Sequence, residues 1–238
     1  MLKLYSALLI IGLIFLSGCA ATNPGPVPQY TGFLQDYSIL QQGKKGLAER
    51  IYRKPGVNWA KYDKIMLDPV TLWRGKGSHL NGVSPADAQH MANYFYQLMY
   101  HNFTLNYQIV TKPEANTLRI SVAIVKLEEG HVALETFSTI IPQAKGITKL
   151  ANLVTGKAPL VGKASVEAKV TDAQTGTLLA AGVDERIGGK KLSSLSLSTW
   201  SDVEYVMQFW VDRASYNLCM KRGDSNCVAP ELSLQEKL

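Results

Sequence analysis

The chain has 238 residues, of which 46% are hydrophobic and 18% are charged, and its formal net charge is +6. This balance is typical of a folded globular protein and excludes a disordered chain. Basic residues are scattered among acidic ones and form no stripe interleaved with aromatic residues, so nucleic acid is not expected as a partner.

Residues 1–18 have the pattern of a secretory signal peptide. Lys3 gives a basic start, and Leu8 to Leu16 form an apolar run that is too short to cross a membrane as a helix. The run ends in Leu16-Ser17-Gly18-Cys19, which resembles a bacterial lipobox, where a diacylglycerol is attached to the cysteine thiol. An ordinary signal peptide or an uncleaved anchor is the alternative. We expect Cys19 to be acylated and the mature chain to be held by lipid.

The residues after Cys19 predict where the lipid is inserted. The residue after Cys19 is Ala20, and not the Asp that tends to retain lipoproteins in the inner membrane of enteric-type bacteria. We therefore expect the mature protein at the periplasmic face of the outer membrane. Residues 19–29 contain three prolines, which favour an extended tether reaching at most ~30 Å. The domain should therefore stay close to the outer membrane.

The rest of the chain reads as one α+β domain at residues 61–222, preceded by an irregular segment at 30–60 and followed by a tail at 223–238. The element order β-α-β-β-β-β-α predicts a single mixed or antiparallel sheet of about five strands, with two helices packed on one face. Strands are expected at residues 64–72, where Pro69 places a bulge or an edge, and at 107–111, 117–128, 162–172 and 178–187.

Both helices have recognisable starts and one apolar face. Ser84 is the expected N-cap of the first helix, with Pro85 at its first position, and Ser201 to Glu204 resemble a capping box that opens the second. Two sets of apolar residues recur at helical spacing and predict the buried faces. They are Ala88, Met91, Ala92, Phe95, Leu98 and Met99 in the first helix, and Val203, Met207, Trp210, Ala214 and Leu218 in the second.

The clearest β-hairpin spans residues 162–187. Val166, Ala168 and Val170 alternate with polar residues that include Glu167, and Asp172 to Gly176 form the turn. A calcium loop is the alternative interpretation of that turn, but it would need several carboxylates where this segment has one.

Two cysteines remain after Cys19, and in an oxidising periplasm they most simply form a disulfide. Cys219 and Cys227 would close a nine-residue loop, which stabilises by roughly 2.5 kcal/mol through chain entropy. The spacing is far from that of a redox motif. We therefore predict a staple between the last helix and the tail.

No catalytic residue, metal ligand or cofactor site is expected. The sequence lacks the Gly-x-Ser-x-Gly, Ser-x-x-Lys and His-Glu-x-x-His patterns, and its three Gly-rich basic pieces lack phosphate-loop spacing. His90 and His101 are three helical turns apart on the solvated face of the first helix, so they are too distant to share a metal ion. Asp184, Glu185 and Arg186 form either a structural ion pair or a group that orients a ligand.

Residues 145–163 combine apolar residues at helical spacing with Lys145, Lys149, Lys157 and Lys163. Such a basic amphipathic element either contacts a membrane or a partner, or packs on its own domain as a crossover.

Four segments of the chain recur together and in the same order in a known family. They are Tyr30 to Ser38, Tyr62 to Trp73, Val161 to Lys169 and Thr171 to Arg186. In these segments, and over nearly all of residues 30–222, the chain resembles the Gram-negative lipoproteins known as domain of unknown function 3313. The resemblance implies a periplasmic lipoprotein of undetermined activity and provides no catalytic residues to transfer.

Two functions follow as hypotheses. The first is a non-enzymatic interaction module, anchored in the outer membrane, that docks an envelope protein or another copy of itself. The second is a protein that binds or hydrolyses cell-wall glycan or lipid, using carboxylates such as Asp68, Asp184 and Glu185. A glycosidase needs two carboxyl groups ~5 Å or ~6.5–9.5 Å apart in a cleft.

Overall fold

A computed structural model describes residues 22–25, 30–44, 47–130, 162–188 and 200–230. These residues form one α+β unit with a mixed sheet and two long helices. In chain order, the strands are β1 (Asn23–Pro24), β2 (Gln41–Gln42), β3 (Arg50–Arg53), β4 (Lys64–Leu67), β5 (Thr71–Leu72), β6 (Gln108–Ile109), β7 (Thr117–Glu128), β8 (Lys163–Asp172) and β9 (Leu178–Ile187). The helices are α1 (Pro85–Thr104) and α2 (Ser201–Arg222), and a 3₁₀ turn spans Trp59–Lys61.

The sheet has the order β2-β3-β9-β8-β7-β4-β6, with β1 also pairing β9 and β5 also pairing β7. Strands β4, β5 and β6 are parallel to their neighbours, and the pairs from β7 to β2 are antiparallel. The described residues therefore form nine strands in one sheet, and the expected number of about five is wrong. The four additional strands are the short elements β1, β2, β3 and β5.

The expected strand at 64–72 is interrupted at Pro69, as its sequence predicts. Leu67 pairs with Ile120, whereas Thr71 pairs with Ala123, so four steps along the first segment match three along β7. Proline has no backbone N–H to donate to the ladder, and one extra residue is accommodated in a bulge. The interruption places Asp68 beside β7, where its carboxylate accepts hydrogen bonds from Arg119 and Ser121.

Both helices pack on the same face of the sheet, where α1 buries most of its predicted apolar face and α2 fully buries only the first half of its own. Ser84 caps α1, since its hydroxyl accepts a hydrogen bond from the Asp87 N–H at 3.0 Å, and Pro85 occupies the first position. The predicted capping box of α2 is wrong. The N-cap is Trp200, which makes no side-chain capping bond, and Ser201 already lies inside the helix. One core joins the helices to β4, β7 and β8.

The predicted hairpin is present as β8 and β9, in antiparallel register from Lys163 opposite Ile187. Asp172 accepts hydrogen bonds from the N–H groups of Gln174 and Thr175. Gly176 has a φ of +69°, a left-handed conformation that favours glycine. The segment is a turn closed by its own carboxylate, as expected.

The segment at 30–60 is not irregular throughout, because it contains β2 and β3. Residues 30–40, which precede β2, pack on the face of the sheet opposite the helices, and we call them the strap. Leu34 of the strap forms a second small core with Ala181 and Val183 of β9. The Tyr30–Tyr37 region therefore packs on the domain.

A buried carboxylate holds the strap on the sheet. Glu167 is fully buried, although it lies at a polar position of the alternating strand β8. It accepts hydrogen bonds from Thr31 N and Oγ1 at 3.1 and 2.9 Å, from Tyr37 Oη at 2.6 Å and from Leu34 N at 3.4 Å. The pKa of Tyr37 is raised by burial and by its hydrogen bond to this carboxylate. Glu167 thus points into a second interface rather than into solvent.

The predicted disulfide joins Cys219, in the last turn of α2, to Cys227 in the tail. Helix α2 ends at Gly223, which has a φ of +86° and donates its N–H to the Cys219 carbonyl. Of the helices that the structure describes, none is long and apolar enough to cross a membrane. The predicted signal peptide at 1–18, the acylation site Cys19 and residues 145–161 of the basic segment lie outside the described residues.

Candidate functional site

A trough of about 240 Å³ lies between α2 and the helix-facing side of β8, β9 and β3. Its floor is formed by alternate residues of the strands, among them Val166 and Ala168 of β8 and Ala180 and Gly182 of β9. Successive side chains of a strand point to opposite faces, so alternate positions line one surface. Ile51 of β3 forms the outer wall.

Helix α2 covers the floor only in part. Of its predicted apolar stripe, Val203 and Met207 are fully buried, whereas Trp210, Ala214 and Leu218 are half-buried. These last three residues line the trough. The predicted apolar face of α2 is therefore buried in the first half of the helix. In the second half it borders the open trough.

One end of the trough holds a closed polar cluster around Asp184. This carboxylate accepts hydrogen bonds from Arg186 Nε at 2.9 Å, Trp210 Nε1 at 2.7 Å and Glu49 N at 2.9 Å. The Arg186 guanidinium also lies 4.4 Å from the centroid of the Phe209 ring. Asp184 and Arg186 are both nearly inaccessible to solvent. This confirms the structural ion pair that the sequence suggested.

Glu49 lies beside that cluster and is the exceptional carboxylate of the region. Its pKa is raised above the ordinary value, first by burial and then by the negative charge of Asp184. Its Oε2 is buried and has no hydrogen-bond partner among the described residues. Ionised Glu49 is therefore poorly accommodated in the folded domain.

The opposite end of the trough is cationic and exposed. Helix α2 runs antiparallel to β9, because Asp202 lies at Gly162 and Gly188 while Trp210 contacts Asp184. Lys221 is eleven residues beyond Trp210, which places it ~16 Å further along the helix. Arg53 pairs with Ala180, four residues and ~13 Å from Asp184 along β9. Both cationic side chains line the same end of the trough, next to the hairpin turn.

The three carboxylates named for a glycan hydrolase do not converge. Asp184 and Glu185 are neighbours on β9 and point to opposite faces of the sheet. Glu185 pairs with Lys126 at 3.0 Å, whereas Asp68 binds Ser121, five residues away on β7. That offset is roughly 15 Å along the strand, which exceeds the ~5–9.5 Å that a glycosidase pair requires.

The other predicted features are placed as follows. His90 and His101 are exposed on α1, and within the described ranges no cluster of His, Cys, Asp and Glu could hold a metal ion. The trough itself was missed, because its walls come from seven elements that are far apart in sequence. The apolar stripe of α2 that includes Trp210 was the one sequence signal for the trough, and nothing in the sequence marked Arg53 or Lys221.

A family model described as "Protein of unknown function (DUF3313)" matches residues 29–214. The chain belongs to this family. The match covers the strap, every described strand except β1 and most of α2, so the trough is formed almost entirely by the DUF3313 region. Lys221 lies just beyond it. No curated protein matches this DUF3313 chain.

Several solved structures are similar in overall arrangement. The PelC dodecamer from Paraburkholderia phytofirmans has 12% identity and a TM-score of 0.36, with 68% of this chain and 93% of that chain covered. The hypothetical protein CT253 from Chlamydia trachomatis has 8% identity and a TM-score of 0.36, with 67% and 99% covered. A DUF4136 family protein from Bacteroides thetaiotaomicron has 10% identity and a TM-score of 0.29, with 67% and 92% covered. We take no function from similarities this weak.

Proposed function

We propose that this DUF3313 protein is a non-enzymatic binding module of the cell envelope, held by a diacylglycerol on Cys19 at the periplasmic face of the outer membrane. The trough is its working surface. The observation that carries the proposal is the chemistry of that surface: an apolar floor, a single carboxylate already bonded to three donors, and two cationic side chains at the exposed end. A surface of this kind suits recognition of an apolar group.

The charged groups around the trough support binding rather than proton transfer. A general acid or base must reach the proton that it moves. Both Asp184 oxygens are hydrogen-bonded within the domain, and its guanidinium partner Arg186 is buried with it. Glu185 and Asp68 are paired with Lys126 and Arg119 on the other face of the sheet. The family supplies no activity that would argue otherwise.

The anchor is tested by acyl labelling of the full chain and by separation of the membranes. We expect a labelled protein in the outer-membrane fraction, and loss of both label and location in Cys19→Ser. Equal labelling of the parent and the variant would refute the anchor.

The binding surface is tested by site-specific photo-crosslinking in cells. A photoreactive residue at position 51, in the trough wall, should give a discrete adduct identified by mass spectrometry. The same residue at position 100, an exposed tyrosine of α1 that does not line the trough, is the matched control. Identical adducts from both positions, or none from position 51, would contradict the assignment of the trough as the binding surface.

A further inference from the structure

We infer that the trough binds a single-chain anionic amphiphile, with the acyl chain along the apolar floor and a carboxylate or phosphate headgroup at Arg53 and Lys221. The inference rests on the proposed binding function and specifies its ligand. It uses only residues that the structure describes.

The size and lining of the trough favour one hydrocarbon chain. An apolar cavity of ~150 Å³ is enough to hold benzene, and complete sites for drug-sized ligands occupy ~300–1,000 Å³. The trough, at about 240 Å³, lies between these values. Its length, from Trp210 to Lys221, is ~16 Å along α2. A long and narrow apolar space of this volume fits a single acyl chain better than the two chains of a phospholipid.

The charges at the two ends give the chain a direction. At the closed end, Arg186 is paired with Asp184 at 2.9 Å, and the guanidinium of Arg213, which also lines the trough, lies 5.3 Å from the centroid of the Phe209 ring. At the exposed end, neither Arg53 nor Lys221 has an ion-pair partner among the described residues. Arginine binds carboxylate and phosphate groups through two parallel hydrogen bonds, and lysine adds a second positive charge. An anionic headgroup is therefore complementary to this end.

The same charges disfavour other occupants. Residues 145–161 of the basic segment carry three lysines and would bring like charges to the cationic end. A second copy of the chain is also net positive. A glycan lacks the hydrocarbon surface that would replace water on the aliphatic floor.

The test uses tryptophan fluorescence, because Trp59 and Trp210 line the trough. The acylated full-length protein, in phosphatidylcholine vesicles, is titrated with a mid-chain brominated fatty acid, a brominated lysophosphatidic acid or a brominated monoacylglycerol of the same chain length. Bromine quenches a nearby indole on contact. We expect saturable quenching by both anions and at least tenfold weaker binding of the neutral monoacylglycerol. The relative affinities of the two anions show whether a carboxylate or a phosphate is preferred.

Three variants make the result specific. Arg53→Glu combined with Lys221→Glu should weaken binding of the anions about tenfold or more and leave binding of the neutral lipid unchanged. Lys54→Glu, an exposed neighbour that does not line the trough, is the matched charge control and should have no effect. Ala214→Phe should fill the trough and abolish saturable quenching, with circular dichroism confirming that it folds. The quenching that remains in the Ala214→Phe protein measures contact of its tryptophans with brominated lipid in the bilayer.

The outcomes separate this inference from the function on which it rests. Equal binding of neutral and anionic chains, unaffected by charge reversal, would overturn the headgroup assignment and leave an apolar binding module. No saturable quenching above the Ala214→Phe level would overturn the lipid inference altogether. Crosslinking from position 51 would then decide the proposed function independently, because a polypeptide adduct would identify a protein as the occupant.

Discussion

Replacing Glu167 with Gln should loosen the strap from the sheet. The amide oxygen can keep the two hydrogen bonds from Thr31 that Glu167 Oε1 accepts, but the amide nitrogen replaces Oε2, which accepts from Tyr37 Oη at 2.6 Å and from Leu34 N at 3.4 Å. A hydrogen bond to a charged group contributes about 1.5–3 kcal/mol, and a buried unsatisfied N–H costs a similar amount. Because the carboxylate is fully buried, we expect the free energy of unfolding to fall by about 2–4 kcal/mol.

Urea unfolding measures this loss, and the midpoint of thermal unfolding should fall by roughly 5–15 °C in a chain of this size. Trp73 reports on the strap directly, since its indole N–H donates to the Thr31 carbonyl at 2.9 Å. Tyr30→Phe is the control, because the exposed Tyr30 hydroxyl makes no hydrogen bond within the described ranges. Tyr37→Phe removes the other partner of the same hydrogen bond. The double variant should therefore lose less free energy of unfolding than the sum of the losses of the two single variants. A Glu167→Gln protein within 0.5 kcal/mol of the parent would refute this account of the strap.

Three further predictions concern stability. Glu49 has a raised pKa in the folded chain, so the free energy of unfolding falls as the pH rises above 4.5, the ordinary pKa of a glutamate. Glu49→Gln should therefore stabilise the protein more at pH 7 than at pH 4. An equal effect in urea unfolding at both pH values would contradict this. Reducing the Cys219–Cys227 disulfide should lower the free energy of unfolding by about 2.5 kcal/mol, with no change expected if reductant is added to a Cys219→Ser, Cys227→Ser protein. Met207 is fully buried, so Met207→Ala should lower the free energy of unfolding by about 2–5 kcal/mol. Met220 lies at an exposed site of the same helix, so Met220→Ala should lower it by less than ~0.5 kcal/mol. Similar losses for the two variants in denaturant unfolding would contradict the assigned core.

Local patterns in the sequence were sufficient for the elements whose partners lie close along the chain. The β8–β9 hairpin, the Ser84 cap and the interruption at Pro69 each depend on a few adjacent residues, and all three occur in the structure. The helical faces were also predictable, because a period of 3.6 residues depends only on burial of one side. The disulfide followed from the small number of cysteines.

The missed features depend on contacts between distant segments. Strand β3 is only four residues long and reads Arg-Ile-Tyr-Arg, so its own pattern is weak, and its pairing partner β9 lies in the second half of the chain. Glu167 occupies a position that alternation assigns to solvent, and only the docked strap explains its burial. The trough was invisible for the same reason, since no single segment contains enough of it.

The distance in sequence between the strap and its carboxylate has a consequence for the order of folding. Thr31 and Glu167 are 136 residues apart, so the strap is synthesised long before β8 and β9 and cannot dock until they are present. Contacts of such long range form slowly. Until β3 and β1 dock on it, β9 is an uncovered edge strand able to pair with another chain. In a chain truncated from its N-terminus through β3, β9 would remain an uncovered edge strand. We expect that chain to aggregate even though it retains both helices and the central strands.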